Sequence, residues 1–336
     1  MNRTNPPGHA GSRRVRYPWN MVPRYPPGPV SGRRLFLVAA LTAIVMAGCV
    51  SFREQLTPRR YAAIVARRLP DATPEELAAP WTVSPEMAAW ARDVTRGAVD
   101  SRQRLELLVR ALTDPGRPPI VYDRHVTGTA REGWRWRRGD CLTMTNLFVG
   151  LARAVGLDVT FVEVVGFGEE SREGDLAVQH RHIAAAWGRG TTVTVVDFSE
   201  LRGRYAHYRR LTDLEAAARF RNTLGYQALR KGHLEEAVRH FRAALALDPR
   251  LAWAANNLGV ALRRLGRLDE AEAAYRRALA LDPHYVAALA NLARLERERG
   301  NEAAARLLEE EAERWRRIRE RGIRPALPPS NPPRNP

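Results

Sequence analysis

The sequence predicts an α+β unit followed by an all-α repeat array, and three observations carry that division. Ser84 to Leu112 and Cys141 to Val155 place apolar residues at helical spacing. Val159 to Val165, Ile183 to Trp187 and Val193 to Phe198 have strand composition between turn signals. After Leu211 the pattern is helical only and repeats at an offset of 34 residues.

Length and composition bound the answer. A chain of 336 residues suggests about two domains, and 45% hydrophobic with 27% charged residues excludes wholesale disorder. No run reaches the ~18–20 apolar residues of a spanning helix, which excludes a polytopic membrane protein. Two cysteines exclude a disulfide scaffold and a four-cysteine zinc site. The formal charge is +17, but Lys231 is the sole lysine beside 53 arginines in an Ala-rich chain, which points to codon usage in a GC-rich genome. These arginines are scattered among acids, as from Leu308 to Arg319, and no recognition motif accompanies them, so a nucleic-acid partner is not expected.

The first fifty residues are an address. Residues 1–32 are rich in Pro, Gly and Arg and are read as disordered, or as sequence upstream of a later start such as Met21. Arg33-Arg34, the apolar run from Leu35 to Ala47 and Gly48-Cys49 form a secretory signal, its 13-residue run too short to span a bilayer comfortably. Met46-Ala47-Gly48-Cys49 resembles a bacterial lipobox. That resemblance implies lipidation of Cys49, a membrane anchor through the lipid, and, with Val50 following, the outer membrane facing the periplasm. An uncleaved anchor helix is the other reading, and both place the chain outside the cytoplasm. Residues 1–48 hold seven Arg and no acid, so cleavage lowers the formal charge from +17 to +10.

Next come a linker, 49–82, with one helix from Tyr61 to Leu69, and an α+β unit over 83–205. Two helices broken near Gly97 open the unit, and Asp114-Pro115-Gly116 turns the chain. Residues 117–139 are expected to be irregular, with Trp134 and Trp136 in a basic loop. Cys141 begins a helix with one apolar stripe (Met144, Leu147, Phe148, Leu151, Val155), Asp140 as N-cap and Gly156 as stop. Gly166 to Ala177 reads as a polar loop between the first strand and the antiparallel pair.

The candidate chemistry lies in this unit. Unpaired N–H groups at a helix N-terminus favour a thiolate at Cys141. A thiolate nucleophile needs a proton relay and an acid that orients it. His182 begins one strand and Asp197 stands near the end of the next, so adjacent strands place the two side by side. His180 shares parity with His182 and is the alternative base. Asp140 is read as a cap rather than a second acid. His125, His207, His233, His240 and His284 lack metal-ligand spacing, so neither metal nor cofactor is expected.

Gly139-Asp140-Cys141-Leu142-Thr143, Leu151 to Leu157, Arg181-His182-Ile183 and Val196-Asp197-Phe198, with Tyr122-Asp123 and Thr127 to Ala130 upstream, resemble the transglutaminase-like superfamily over residues 83–200. The resemblance implies a papain-like core and a triad of Cys141 as nucleophile, His182 as general base and acid, and Asp197 as orienting carboxylate. His182-Ile183-Ala184 departs from the His-Ala-Trp of many members, and nothing resembles the acidic calcium sites of animal transglutaminases.

Beyond residue 206 the repeat is explicit. Leu224 matches Leu258, Gly225 matches Gly259, Gly232 matches Gly266, Phe241 matches Tyr275, and Asp248-Pro249 matches Asp282-Pro283. Copies at 218–251, 252–285 and a degenerate 286–317 resemble the tetratricopeptide repeat family, within a region 206–320 followed by a Pro-rich tail, 321–336. A worn last copy with a charged tail suits a cap. The fold expected is thus a papain-like, transglutaminase-like α+β domain followed by a repeat solenoid. The function expected is an envelope-anchored cysteine amide hydrolase or acyl transferase whose repeats hold a protein or peptide ligand. The alternative is a catalytically inactive envelope adaptor acting through its repeats.

Overall fold

The computed structural model describes residues 55–114, 120–165, 170–173, 176–179, 182–189, 192–199 and 207–321. Cys49 with the whole address segment, His180 and the Pro-rich tail beyond 321 lie outside them.

The chain enters through α1 (Pro58–Arg68) and α2 (Pro74–Leu77). Thr57 and Thr73 cap them, each followed by Pro at the first helical position, where its missing N–H is no loss. The expected linker is therefore corrected. Tyr61, Val65 and Trp81 are buried, Tyr61 meets Trp81 edge to face at 5.3 Å, and Trp81 packs on Phe161 at the same distance. The helix expected from Tyr61 to Leu69 is α1, but the segment around it, expected only to link, brings aromatic residues that close the core.

Helices α3 (Pro85–Val94) and α4 (Ser101–Thr113) flank the break near Gly97. The expected irregular stretch is also corrected: α5 (Ala130–Trp136) sits between the two-residue strands β1 (Val121–Tyr122) and β2 (Arg138–Gly139), which pair in parallel. A reciprocal Thr129–Glu132 capping box starts α5, and Arg137 in the left-handed region (φ 55°) ends it. Helix α6 (Cys141–Ala154) follows, buried from Leu142 to Ala152 and stopped before Gly156 at φ 77°.

Strands β3 (Val159–Val165), β4 (Glu170–Glu173), β5 (Leu176–Gln179), β6 (His182–Arg189), β7 (Thr192–Val196) and β8 (His207–Arg210) come next. The four-stranded antiparallel sheet runs β7-β6-β3-β8, while β4 and β5 pair separately within the expected polar loop. Val164 pairs with His182 and Ala185 with Val196, so β6 and β7 are neighbours. The boundary expected at 205/206 cuts through this sheet, because β8 pairs with β3. His207 to Arg210 carries no apolar alternation by which a strand could be recognised.

Three helix pairs complete the chain: α7 (Asp213–Arg230) with α8 (Leu234–Leu247), α9 (Ala252–Arg264) with α10 (Leu268–Leu281), and α11 (Val286–Glu298) with α12 (Glu302–Glu320). Each pair turns at a glycine of positive φ, namely Gly232, Gly266 and Gly300 (78°, 76°, 82°), where a side chain would be strained. Helix α7 belongs to both halves. Its first residue, Asp213, takes a bidentate pair from Arg153 (2.9 and 2.8 Å) and the Leu56 N–H. Further along, Arg219 Nε donates to Glu163 of β3 at 3.1 Å and its Nη1 to Asp248 at 3.2 Å, all three side chains being buried.

Candidate functional site

The chain leaves β2 at Gly139, and Asp140 caps α6 by accepting the Thr143 N–H at 2.8 Å. Cys141 therefore occupies the first helical position, among amide N–H groups with no intrahelical acceptor. One turn on, Thr145 donates its hydroxyl to the Ile183 carbonyl at 3.3 Å, which seats α6 on the first residues of β6. Residues four apart share a helix face, so this contact brings Cys141 level with His182.

His182 is buried (7% exposed), and its Nε2 lies 2.8 Å from Asp197 Oδ1. Cys141 stands near enough to the same imidazole to act on its titration. Asp197 falls just past the end of β7 rather than inside the strand. Ser199 holds it from two sides, the N–H donating to Oδ1 at 2.9 Å and the hydroxyl to Oδ2 at 3.1 Å. The Ser199 oxygen also lies 3.3 Å from His182 Nε2 and is sealed from solvent. Sequence reasoning missed Ser199. Its signal was local turn chemistry: an aspartate followed two residues on by a serine can fold the serine N–H and hydroxyl back onto the carboxylate.

Burial alone would push the imidazole down. Hydrogen bonds with Asp197 and Cys141, and then the charges of both, outweigh it and push His182 up to about 10. Cys141 is half-buried and is a free cysteine. A sulfur, an imidazole and a carboxylate in one hydrogen-bonded line can pass a proton from sulfur to ring and return it to a leaving group.

The other predicted aromatic residues part ways. Trp134 packs edge to face on Trp90 at 5.0 Å under the Arg137 guanidinium, whereas Trp136 is partly exposed. Among the described residues, no group of three His, Cys, Asp or Glu is arranged to hold a metal ion, and no helix is long and apolar enough to cross a membrane.

A second polar feature runs through the repeats. Asn257 Nδ2 donates to Asn222 Oδ1 at 3.1 Å, Asn256 Nδ2 to Asn257 Oδ1 at 3.3 Å, and Asn291 Nδ2 to Asn256 Oδ1 at 2.9 Å. The amides form one chain across α7, α9 and α11, the leading helices of the three copies. Asn256 and Asn291 are buried, while Asn222 and Asn257 are half-buried.

The family model of the tetratricopeptide repeat matches residues 222–286 and 256–318, so this part of the chain is a tetratricopeptide-repeat array. No curated protein matches the chain by sequence. Among solved structures, the chain is similar to a crystal structure of MamA at 19% identity and TM-score 0.30, over 32% of this chain and 68% of that one. The second TPR of Spaghetti (RPAP3) bound to the HSP90 peptide SRMEEVD is similar at 22% and TM-score 0.29, over 29% and 91% of the two chains. The TPR2B domain of yeast Sti1 in its pHsp70 complex is similar at 23% and TM-score 0.30, over 31% and 84%.

Proposed function

We propose that the chain is a docking protein whose repeats take up a protein or peptide segment. The carrying observation is the amide chain across α7, α9 and α11. Half-buried Asn222 and Asn257 offer donors and acceptors of the kind an extended backbone requires, fixed in position by their mutual bonds. An array of synthetic peptides tests it. The purified chain should select a subset, and Asn222→Ala with Asn257→Ala should weaken that subset at least tenfold. Indiscriminate binding, or binding indifferent to both substitutions, would reject the reading.

A second reading adds chemistry, and a specific observation favours it: the His182 imidazole links Cys141 to Asp197. In this reading the fold is papain-like. The Cys141 sulfur attacks an amide carbonyl, His182 hands its proton to the departing amine, and the acyl group passes from sulfur to water or to an acceptor amine. Docking on the repeats raises the local concentration of the substrate. Iodoacetamide labelling at pH 6–7 discriminates between the readings. Cys141 should react faster than a free thiol, and His182→Ala should slow it at least tenfold. Equal rates would leave an inactive adaptor. The envelope address rests on the sequence from Arg33 to Val50 and belongs to the same proposal.

A further inference from the structure

We propose that the repeat array supplies a positioning residue to the Cys141 helix: Gln227 of α7 orients the Asp140 cap through the hydroxyl of Thr127. Its catalytic consequence rests on the acyl-transfer reading, whereas its geometry does not. Gln227 Nε2 donates to Thr127 Oγ1 at 2.8 Å. That hydroxyl donates in turn to Asp140 Oδ2. The other carboxylate oxygen, Oδ1, accepts the Thr143 N–H and the Thr143 hydroxyl, each at 2.8 Å. Three side chains from separate parts of the sequence thus run in line from a repeat helix to the residue preceding Cys141.

The direction of each bond gives the line its effect. A threonine hydroxyl has a single proton, and the amide of Gln227 occupies its oxygen, which leaves that proton aimed at Asp140. Donation into the hydroxyl oxygen also polarises the O–H and strengthens its onward bond. Thr127 and Asp140 are both buried, so bulk water is a poor substitute for a lost donor. Burial pushes the Asp140 carboxyl up, against the bonds from Thr127, Thr143 and the Leu142 N–H that pull it down. The groups bonded to Asp140 come from the loop before α5 (Thr127) and from α6 (Thr143, Leu142). Cys141 is its titratable neighbour along α6. Glu132 of α5 is bonded to Thr129, Arg138 of β2 pairs with Asp123 at 3.7 Å, and α7 contributes the neutral Gln227. Asp140 is therefore a buried cap in the residue before the thiol, its two oxygens accepting from Thr127 and Thr143, and the relay governs how firmly it is held in that role. An independent tether between the two halves would have no such bond.

Two near-isosteric variants of the full chain, Gln227→Leu and Thr127→Val, and their combination test this. The Asp140 carboxyl is titrated by carbon-detected NMR, and Cys141 alkylation by iodoacetamide is timed in parallel. Thr127→Val should raise the Asp140 midpoint by about one pH unit, the worth of one hydrogen bond to a buried charge. Gln227→Leu, acting through the hydroxyl, should raise it by ~0.2–0.4 unit. The double variant should match Thr127→Val alone, and the alkylation rate should change in the same order. An Asp140 midpoint unmoved by Gln227→Leu, or a double variant equal to the sum of the singles, would overturn the relay. If Cys141 alkylation ignores His182→Ala while the Asp140 midpoint still follows the relay, the acyl-transfer reading fails and the positioning contact stands. Gln227→Met repeats the measurement should the leucine variant lose its circular dichroism.

Discussion

Two arginines of the repeat region show how differently its ends are built. Arg299, between α11 and α12, is half-buried and reaches the fully exposed Asp269 and the half-buried Glu272. Arg219, on the first repeat helix, is 4% exposed and enclosed with Glu163 of the sheet and Asp248. Exposed pairs exchange water for water-screened attraction and contribute little. A buried pair is different: removing one partner strands the other charge in a medium that solvates it poorly. The first pair of helices is thus welded to the sheet by buried charge, while the later copies are joined to one another by packing, by amide bonds and by ion pairs open to solvent at one end.

The largest expected effect breaks that weld. Arg219→Leu leaves Glu163 buried beside Arg209 alone and should lower stability by about 3–5 kcal/mol. The measurement is a urea midpoint by circular dichroism. Adding Glu163→Leu to the same chain should recover part of the loss, because only Asp248 then lacks its buried partner. Arg299→Leu should lower the midpoint far less, by at most about 1 kcal/mol in stability. If both arginines behave alike, the two ends of the array are not distinct and the seam is an ordinary surface.

The same contrast decides what was legible. In the repeats the contacts that matter are close in sequence and recur: Gly225 faces Phe241, Gly259 faces Tyr275, and the amide bonds span 35 residues. Periodicity reports such contacts directly. In the α+β half they are not periodic. Arg219 and Glu163 are 56 residues apart, Gln227 and Thr127 are 100 apart, and Leu56 and Asp213 are 157 apart. No local pattern announces such pairs, so the segment around the expected helix α1 read as linker, α2 went unread, and β8 fell on the wrong side of a boundary. Cys141, His182 and Asp197 could be picked out because each starts or ends an element and so stands near a sheet or helix edge. Ser199 and Gln227 were missed, one for its short side chain and the other because a glutamine on a repeat helix has no distinctive signature. The Thr129–Glu132 capping box was present in the sequence, but a seven-residue helix offers too little apolar period to confirm it.

A smaller effect sharpens the comparison inside the array itself. A Cβ built at Gly259 would stand 2.5 Å from Tyr275 Cε1, and one at Gly225 would stand 2.7 Å from Phe241 Cε1. Both rings are fully buried, so each Gly→Ala substitution forces a ring to move. Overpacking of this kind costs about 1–3 kcal/mol, offset by the ~1 kcal/mol that alanine gains over glycine within a helix. The two sites should not respond equally. The Cβ at Gly259 meets its ring more closely than the Cβ at Gly225 does, and Tyr275 must move a buried hydroxyl with its ring, whereas Phe241 carries no polar atom. Gly259→Ala should therefore lower the urea midpoint more than Gly225→Ala, and Tyr275→Phe in the Gly259→Ala background should narrow the gap. Equal losses at the two glycines would mean that close helix approach alone sets the penalty and that the copies are energetically interchangeable. A larger loss at Gly225 would instead place the stiffer packing at the first copy, where α7 is already clamped by the sheet.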